Sequence, residues 1–142
     1  MTISHSSERE TTIRNILQEA KTIAVVGFST HSDRPGYYVP AYLQAHGYCI
    51  IPVNPNLMQA LGEKAYHDLL AIPEPVDLVL LFRRSEAIPP FVEQAIQIGA
   101  KAVWMQLGIL NEPAAEKARL AGLQVVMNAC MLVEHRRLHP DD

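Results

Sequence analysis

The sequence predicts a parallel α/β sheet covered by helices on both faces, and three observations carry that prediction. The strand candidates "TIAVVGF", "VDLVLLFRR" and "AKAVWMQLG" are continuous apolar runs, as strands buried on both sides require, rather than the alternation of a half-exposed strand. The segments between them have helical periodicity and close at glycine, as at Gly47 and Gly99. Strand and helix alternate along the chain, a pattern that gives right-handed crossovers between parallel strands.

The first element is a helix over about 7–21. Ser7 and Glu10 have the spacing of a capping box, and Ile13, Ile16, Leu17 and Ala20 share one face. A strand over 22–28 follows and runs into a turn at Gly27. In "AYLQAHGYCIIPVNP" a helix closes at Gly47, and a strand from Tyr48 to Val53 is stopped by Pro55. Pro40 would cost a helix starting near Gly36 one backbone bond, so this helix is expected to begin at Pro40. Between Asn56 and Pro75 the pattern is weak, and "KAYHDLLAIP" reads as one short edge strand and a helical turn. A strand over 76–84, a helix from about Glu86 to Ile98, and the strand "AKAVWMQLG" come next. The series ends with a helix capped by Asn111, with Pro113 in its first turn, and a last strand "LQVVMN". No repeat, low-complexity run or linker interrupts it. Residues 1–142 are therefore expected to form one domain, the N-terminal helix included.

Composition narrows the function. The chain is 49% hydrophobic and 19% charged, a globular balance, and its net charge of −3 comes without any block of Lys or Arg. Neither nucleic acid nor an anionic membrane surface is an expected partner, and an anionic ligand would have to be met by a few placed groups. "MTISHSSERE" has no basic start followed by an apolar run, and no apolar stretch is long enough to span a bilayer, so a cytoplasmic location is expected. Cys49 and Cys130 lie far apart with no CxxC or Cys/His cluster, which reads as two buried free thiols and no metal site.

Ligands of such sheets bind beyond the carboxyl ends of the strands. The strand-end loops here are "GFSTHSDR", "VNPN", "FRRSE", "MQLGI" and "NACM". The first places Gly27, Ser29 and Ser32 where a dinucleotide fingerprint has three glycines. Gly27 has two readings. It lets backbone amides approach a phosphate, with Ser29 donating its hydroxyl and the next helix its positive end; or it merely permits a tight turn. The first reading expects Gly27→Ala to lose ligand while barely lowering the melting temperature. A nicotinamide dinucleotide also needs an acid near the end of the second strand, and "IIPVNPN" offers none.

Taken together and in order, "VVGFS", "PVNP", "MQLGI" and "EHRRL" make the chain resemble the small stand-alone CoA-binding proteins over roughly residues 10 to 138. These in turn resemble the CoA-binding N-terminal domain of the succinyl-CoA synthetase α subunit. Asn128, Ala129 and Gly36 depart from that pattern, which has an acid, a basic residue and a Ser there. The resemblance implies a single Rossmann-like parallel sheet holding CoA or acyl-CoA across its strand ends. It puts the phosphates on the turn at Gly27, Phe28, Ser29 and Thr30. Val53, Asn54 and Pro55 then match the loop flanking the nucleotide, Phe82 and Arg83 the next strand end, and Gln106, Leu107, Gly108 and Ile109 the segment near the pantetheine. CoA carries a pyrophosphate and a separate 3′-phosphate, so Arg34, Arg83 and Arg84 are candidate partners.

No catalytic constellation is visible. His31, His46, His67 and His135 are scattered, and "GFSTH" lacks the second glycine of a nucleophile elbow. The domain's synthetase relatives carry their phosphorylated histidine in a further domain. The expected function is non-catalytic binding of CoA or acyl-CoA, with any protein partner unidentified. The alternatives are a subunit of a CoA-thioester ligase complex or an NAD(P)-binding reductase.

Overall fold

The computed structural model describes residues 5–140. In chain order the elements are α1 (His5–Glu19), β1 (Thr22–Val26), α2 (Pro35–Ala45), β2 (Cys49–Val53), β3 (Gln59–Ala60), β4 (Glu63–Lys64), β5 (Leu78–Leu81), α3 (Ile88–Gln97), β6 (Ala102–Met105), α4 (Glu112–Leu120), β7 (Gln124–Val126) and α5 (Met131–Leu138). Five strands form one parallel sheet in the order β2-β1-β5-β6-β7, and β3 and β4 make a separate antiparallel pair. The fold is Rossmann-like. From β1 the chain steps to β2 on one side, and it later continues through β5 on the other. Right-handed crossovers in the two directions place helices on opposite faces and leave a crevice between the ends of β1 and β5, where the connections diverge.

Each face has its own core. Ile13 and Ile16 of α1, Val39 and Leu43 of α2 and Met131 of α5 pack on Ile23, Val25, Leu78, Leu80 and Trp104. Ile88 and Val92 of α3 and Ala115 and Ala118 of α4 pack on Ala24, Val26, Val79, Leu81 and Val103. Successive residues of a strand alternate between the faces, so a sheet covered on both sides needs the unbroken apolar runs seen in the sequence. The amino-terminal edge is pinned by Asp77. Its carboxylate accepts the amides of Lys21 at 2.9 Å and Thr22 at 3.0 Å, and its own backbone bonds to Thr22 and Lys101. Partial burial raises its pKa, but the amides of Thr22 and Lys21 and the nearby Lys101 outweigh that and hold it below the usual carboxylate range.

Several expectations are corrected. The backbone is helical from His5, so Ser7 lies inside α1 rather than at its start. Glu10 instead bonds Arg137 of α5 at 2.7 and 2.9 Å. α2 begins at Pro35, not Pro40. The lost bond of Pro40 would have used the Gly36 carbonyl, and that carbonyl accepts the Ser29 amide at 3.1 Å instead. β5 stops at Leu81, releasing Phe82, Arg83 and Arg84 into the loop, and a 3₁₀ turn at Ser85–Ala87 precedes α3. The Asn56–Pro75 stretch holds the β3–β4 hairpin and a 3₁₀ turn at Leu69–Ala71, joined to the sheet by a bridge between Val53 and Tyr66. The helix α5 was not expected, because "MLVEHRRL" is half polar and buries only Met131 and His135. Neither cysteine is buried. Cys49 starts an edge strand and is exposed, and Cys130 is half-buried at the N-cap of α5. None of the helices among the described residues is long and apolar enough to cross a membrane.

Candidate functional site

At the end of β1 the chain turns at Gly27 with φ +83°. A Cβ there would lie 2.8 Å from the Phe82 carbonyl oxygen and 3.1 Å from Arg83 Cδ. Of the two readings of Gly27, the local geometry requires the turn-shaping one: an L side chain meets both an unfavourable φ and the carboxyl end of β5. The expectation that Gly27→Ala would leave stability nearly untouched is therefore corrected.

The turn beyond Gly27 is held by a closed set of bonds. The Gly27 amide donates to Val53, the Ser29 amide to Gly36, and the His31 amide to Ser29 Oγ at 3.1 Å. Asn54 braces it from β2, with Nδ2 donating to the Phe28 carbonyl at 2.8 Å and Oδ1 accepting the Asn56 amide at 2.8 Å. Gly36 lets α2 close on the turn, since a Cβ there would come 3.1 Å from the Gly27 carbonyl. These bonds leave the amides of Phe28, Thr30 and Gly36 without an acceptor among the described residues. The Ser29 hydroxyl proton also remains available. Together with the amino end of α2, such donors form a concave anion seat.

Two clefts meet at Gly27, one on each face of the sheet. On the α2 and α5 face, a cleft of about 400 Å³ is lined by Gly27, Ser29, Arg34, Pro35, Gly36, Tyr38, Phe82, Gln106, Leu107, Ile109 and Cys130. On the α3 face, a cleft of about 260 Å³ is lined by Val26, Gly27, Val53, Asn54, Pro55, Asn56, His67, Arg83 and Phe91. Each holds one arginine, and neither Arg34 nor Arg83 has an acidic partner among the described residues. Arg83 lies over the Phe91 ring, 5.5 Å from its centroid.

The fold thus brings together eleven of the fifteen residues expected at the site: Gly27, Ser29, Arg34, Val53, Asn54, Pro55, Phe82, Arg83, Gln106, Leu107 and Ile109. Phe28, Thr30, Arg84 and Gly108 line neither cleft. The Phe28 side chain is buried against Tyr37, so only its backbone faces the turn. Thr30 is exposed beside it. Arg84 points outward and pairs with Glu86 at 3.5 Å. Gly108 donates its amide to Asn128 Oδ1 at 2.7 Å, and Asn128 adopts φ +57°, a left-handed conformation that Asn tolerates. That bond ties the Gln106–Ile109 loop to the end of β7. Gln106 is buried, and its Oε1 accepts the Met131 amide at 3.3 Å, so α5 is anchored on the floor of the larger cleft.

Sequence reasoning missed Pro35, Gly36, Tyr38 and Cys130 in the larger cleft and Val26, Asn56, His67 and Phe91 in the smaller one. A signal existed for the first pair, since "RPG" is a helix start with Pro at its first position. None existed for His67 or Phe91, which reach the cleft from other segments. His46 and His135 line neither cleft; the His135 ring meets the Tyr42 hydroxyl at 2.9 Å. Among the described residues, no group of three or more His, Cys, Asp or Glu is placed to hold a metal.

A family model described as "CoA binding domain" matches residues 21–136. The chain belongs to the CoA-binding domain family. Within reach of it is the Bacillus subtilis uncharacterized protein YneT, 43% identical over 123 residues, covering 87% of this chain and 91% of YneT. The Archaeoglobus fulgidus protein named acetate–CoA ligase (ADP-forming) II is 33% identical over 95 residues, which is 65% of this chain but 14% of the ligase. This CoA-binding domain therefore corresponds to a small part of such ligases. A hypothetical protein from Pyrococcus horikoshii OT3 has the same fold, with a TM-score of 0.89, 42% identity and 97% of each chain covered.

Proposed function

We propose that the chain binds CoA or acyl-CoA across the carboxyl edge of the sheet, without catalysing a reaction itself. The observation that carries this reading is the pair of clefts meeting at Gly27, each with an arginine that has no acidic partner among the described residues. A long ligand with phosphates at its middle and different groups at its ends matches such a saddle. The pyrophosphate sits over the turn, met by the amides of Phe28, Thr30 and Gly36, the Ser29 hydroxyl and Arg34. The pantetheine runs along the more apolar wall of Phe82, Leu107 and Ile109. The nucleotide end takes the cleft of Val53, Asn54, Pro55 and Arg83.

The dinucleotide alternative loses support at Asn54. Both ends of that side chain are engaged by Phe28 and Asn56, and β2 ends without the carboxylate that would accept from ribose hydroxyls. Titration calorimetry with CoA, NAD and NADPH in parallel tests the reading. Saturable binding of CoA alone is expected; no heat with CoA beside a clear NADPH isotherm would overturn it. The protein alone is also expected to form no thioester from ATP, CoA and a short-chain acid, and turnover in that assay would make it an enzyme.

A further inference from the structure

The larger cleft and the anion seat account for two of the three phosphates of CoA, and the smaller cleft has a composition suited to the third. Building on the reading above, we infer that the α3-face cleft selects the 3′-phosphorylated ribose, with Arg83 and His67 as the two side chains that read the phosphate. At about 260 Å³ the cleft is below the ~300 Å³ at which pockets begin to enclose a whole small ligand, so it takes one fragment of a long one. Its walls are Val26, Val53, Pro55 and Phe91, and no carboxylate lines it.

The polar groups can be narrowed by what the fold already uses. Asn54 has both side-chain ends bonded within the protein. Arg83 has no acidic partner among the described residues, and two contacts hold it in place: its stem packs against Gly27, with Cδ 3.1 Å from where a Cβ would be, and its guanidinium lies over Phe91. Its charge is thus pre-positioned at the shared edge of the two clefts, which lowers the cost of ordering it around an anion.

His67 arrives from the other side. The bridge between Val53 and Tyr66, with Tyr66 N–H on Pro52 at 3.0 Å and Asn54 N–H on Tyr66 at 2.9 Å, fixes the chain beside the end of β2 and sets the next residue at the cleft. The acid that follows is withdrawn: Asp68 caps the 3₁₀ turn, accepting the Ala71 amide at 3.1 Å. A guanidinium and an imidazole donor lining one cleft, with the neighbouring carboxylate engaged as a cap, are complementary to a phosphomonoester rather than to a neutral ribose.

The test is calorimetry of the wild type, Arg83→Ala and His67→Ala with CoA, dephospho-CoA, NADH and NADPH. Both residues are exposed, and unchanged melting temperatures are expected for both variants. The wild type is expected to prefer CoA over dephospho-CoA. Arg83→Ala should cut that preference by about tenfold or more and His67→Ala by about fivefold, each leaving dephospho-CoA affinity unchanged. If the wild type binds CoA and dephospho-CoA equally, or if both variants keep the full preference, CoA binding stands and this assignment falls. If it binds neither but prefers NADPH over NADH, the phosphate read is a 2′-phosphate, and both the CoA reading and this assignment are overturned.

Discussion

At the amino-terminal edge of the sheet, Asp77 faces two backbone amides and Lys101, and its charge is fully matched by the fold. At the carboxyl-terminal edge, Arg34 and Arg83 stand in clefts with no acidic partner among the described residues, beside three amides that also lack acceptors. Both edges close the same five strands. The first uses a charge to fix strand register; the second leaves charge and donors unmatched where the connections diverge. An unmatched cluster of one sign weakens a fold slightly unless something else binds there. On the proposed reading the contrast separates residues that maintain the protein from residues that serve a ligand, and substitutions at the two edges should affect different measurements.

The largest effect is expected where the two roles coincide. Gly27→Val places a β-branched side chain at φ +83° and against the Phe82 carbonyl, so stability should fall by on the order of 3 kcal/mol and binding in both clefts should be lost. Chemical denaturation checks the first part and CoA calorimetry the second. A folded Gly27→Val protein with unchanged melting would show that the turn can be rebuilt without its glycine.

At the amino edge, Asp77→Ala should cost about 2 kcal/mol of stability, the scale of hydrogen bonds to a charged group, and leave CoA affinity unchanged. The same carboxylate gives a pH dependence. Its folded pKa is lowered, so its contribution is fully present above the unfolded value of about 3.9 and is lost as the pH falls through the folded value. Denaturation between neutral pH and the acid range should therefore show a steeper acid loss in the wild type than in Asp77→Asn. Equal slopes would remove this role from Asp77.

Arg34→Ala should show the reverse pattern, weakening CoA by about 1.5 kcal/mol while stability shifts by less than about 0.5 kcal/mol. Dephospho-CoA should lose as much as CoA, because the proposed reading puts Arg34 on the pyrophosphate side. The cysteines offer a chemical readout of the same cleft. CoA should slow alkylation of Cys130, which lines it, and leave the exposed Cys49 unaffected. Equal protection of both would point to a global change rather than occupancy of the cleft. The smallest effect is expected for Arg84→Ala, under about 0.5 kcal/mol on either measurement, since Arg84 is exposed and paired with Glu86. A clear loss of CoA affinity there would move the phosphate site outward from the clefts.

The sequence by itself determined the sheet and its polarity. Continuous apolar runs can be accommodated only by strands buried on both faces, and parallel strands joined by helices put all the ligand-facing loops at one edge. Gly27, Ser29, Val53, Asn54, Arg83 and Gln106 fall at that edge because each ends or follows a readable strand. The tertiary structure decided what those residues do. Asn54 proves to be a brace and Gly36 a packing glycine, because their partners, Phe28 and Gly27, come from other segments of the chain. Pro40 is accommodated inside α2 because the Ser29 amide takes the carbonyl it frees, a bond across the turn that no local propensity encodes. His67, Phe91 and Cys130 reach the clefts from a hairpin connection, a helix face and an unpredicted helix start. Local patterns specify periodicity and turns, whereas a site between connections depends on which distant segments the packing brings side by side.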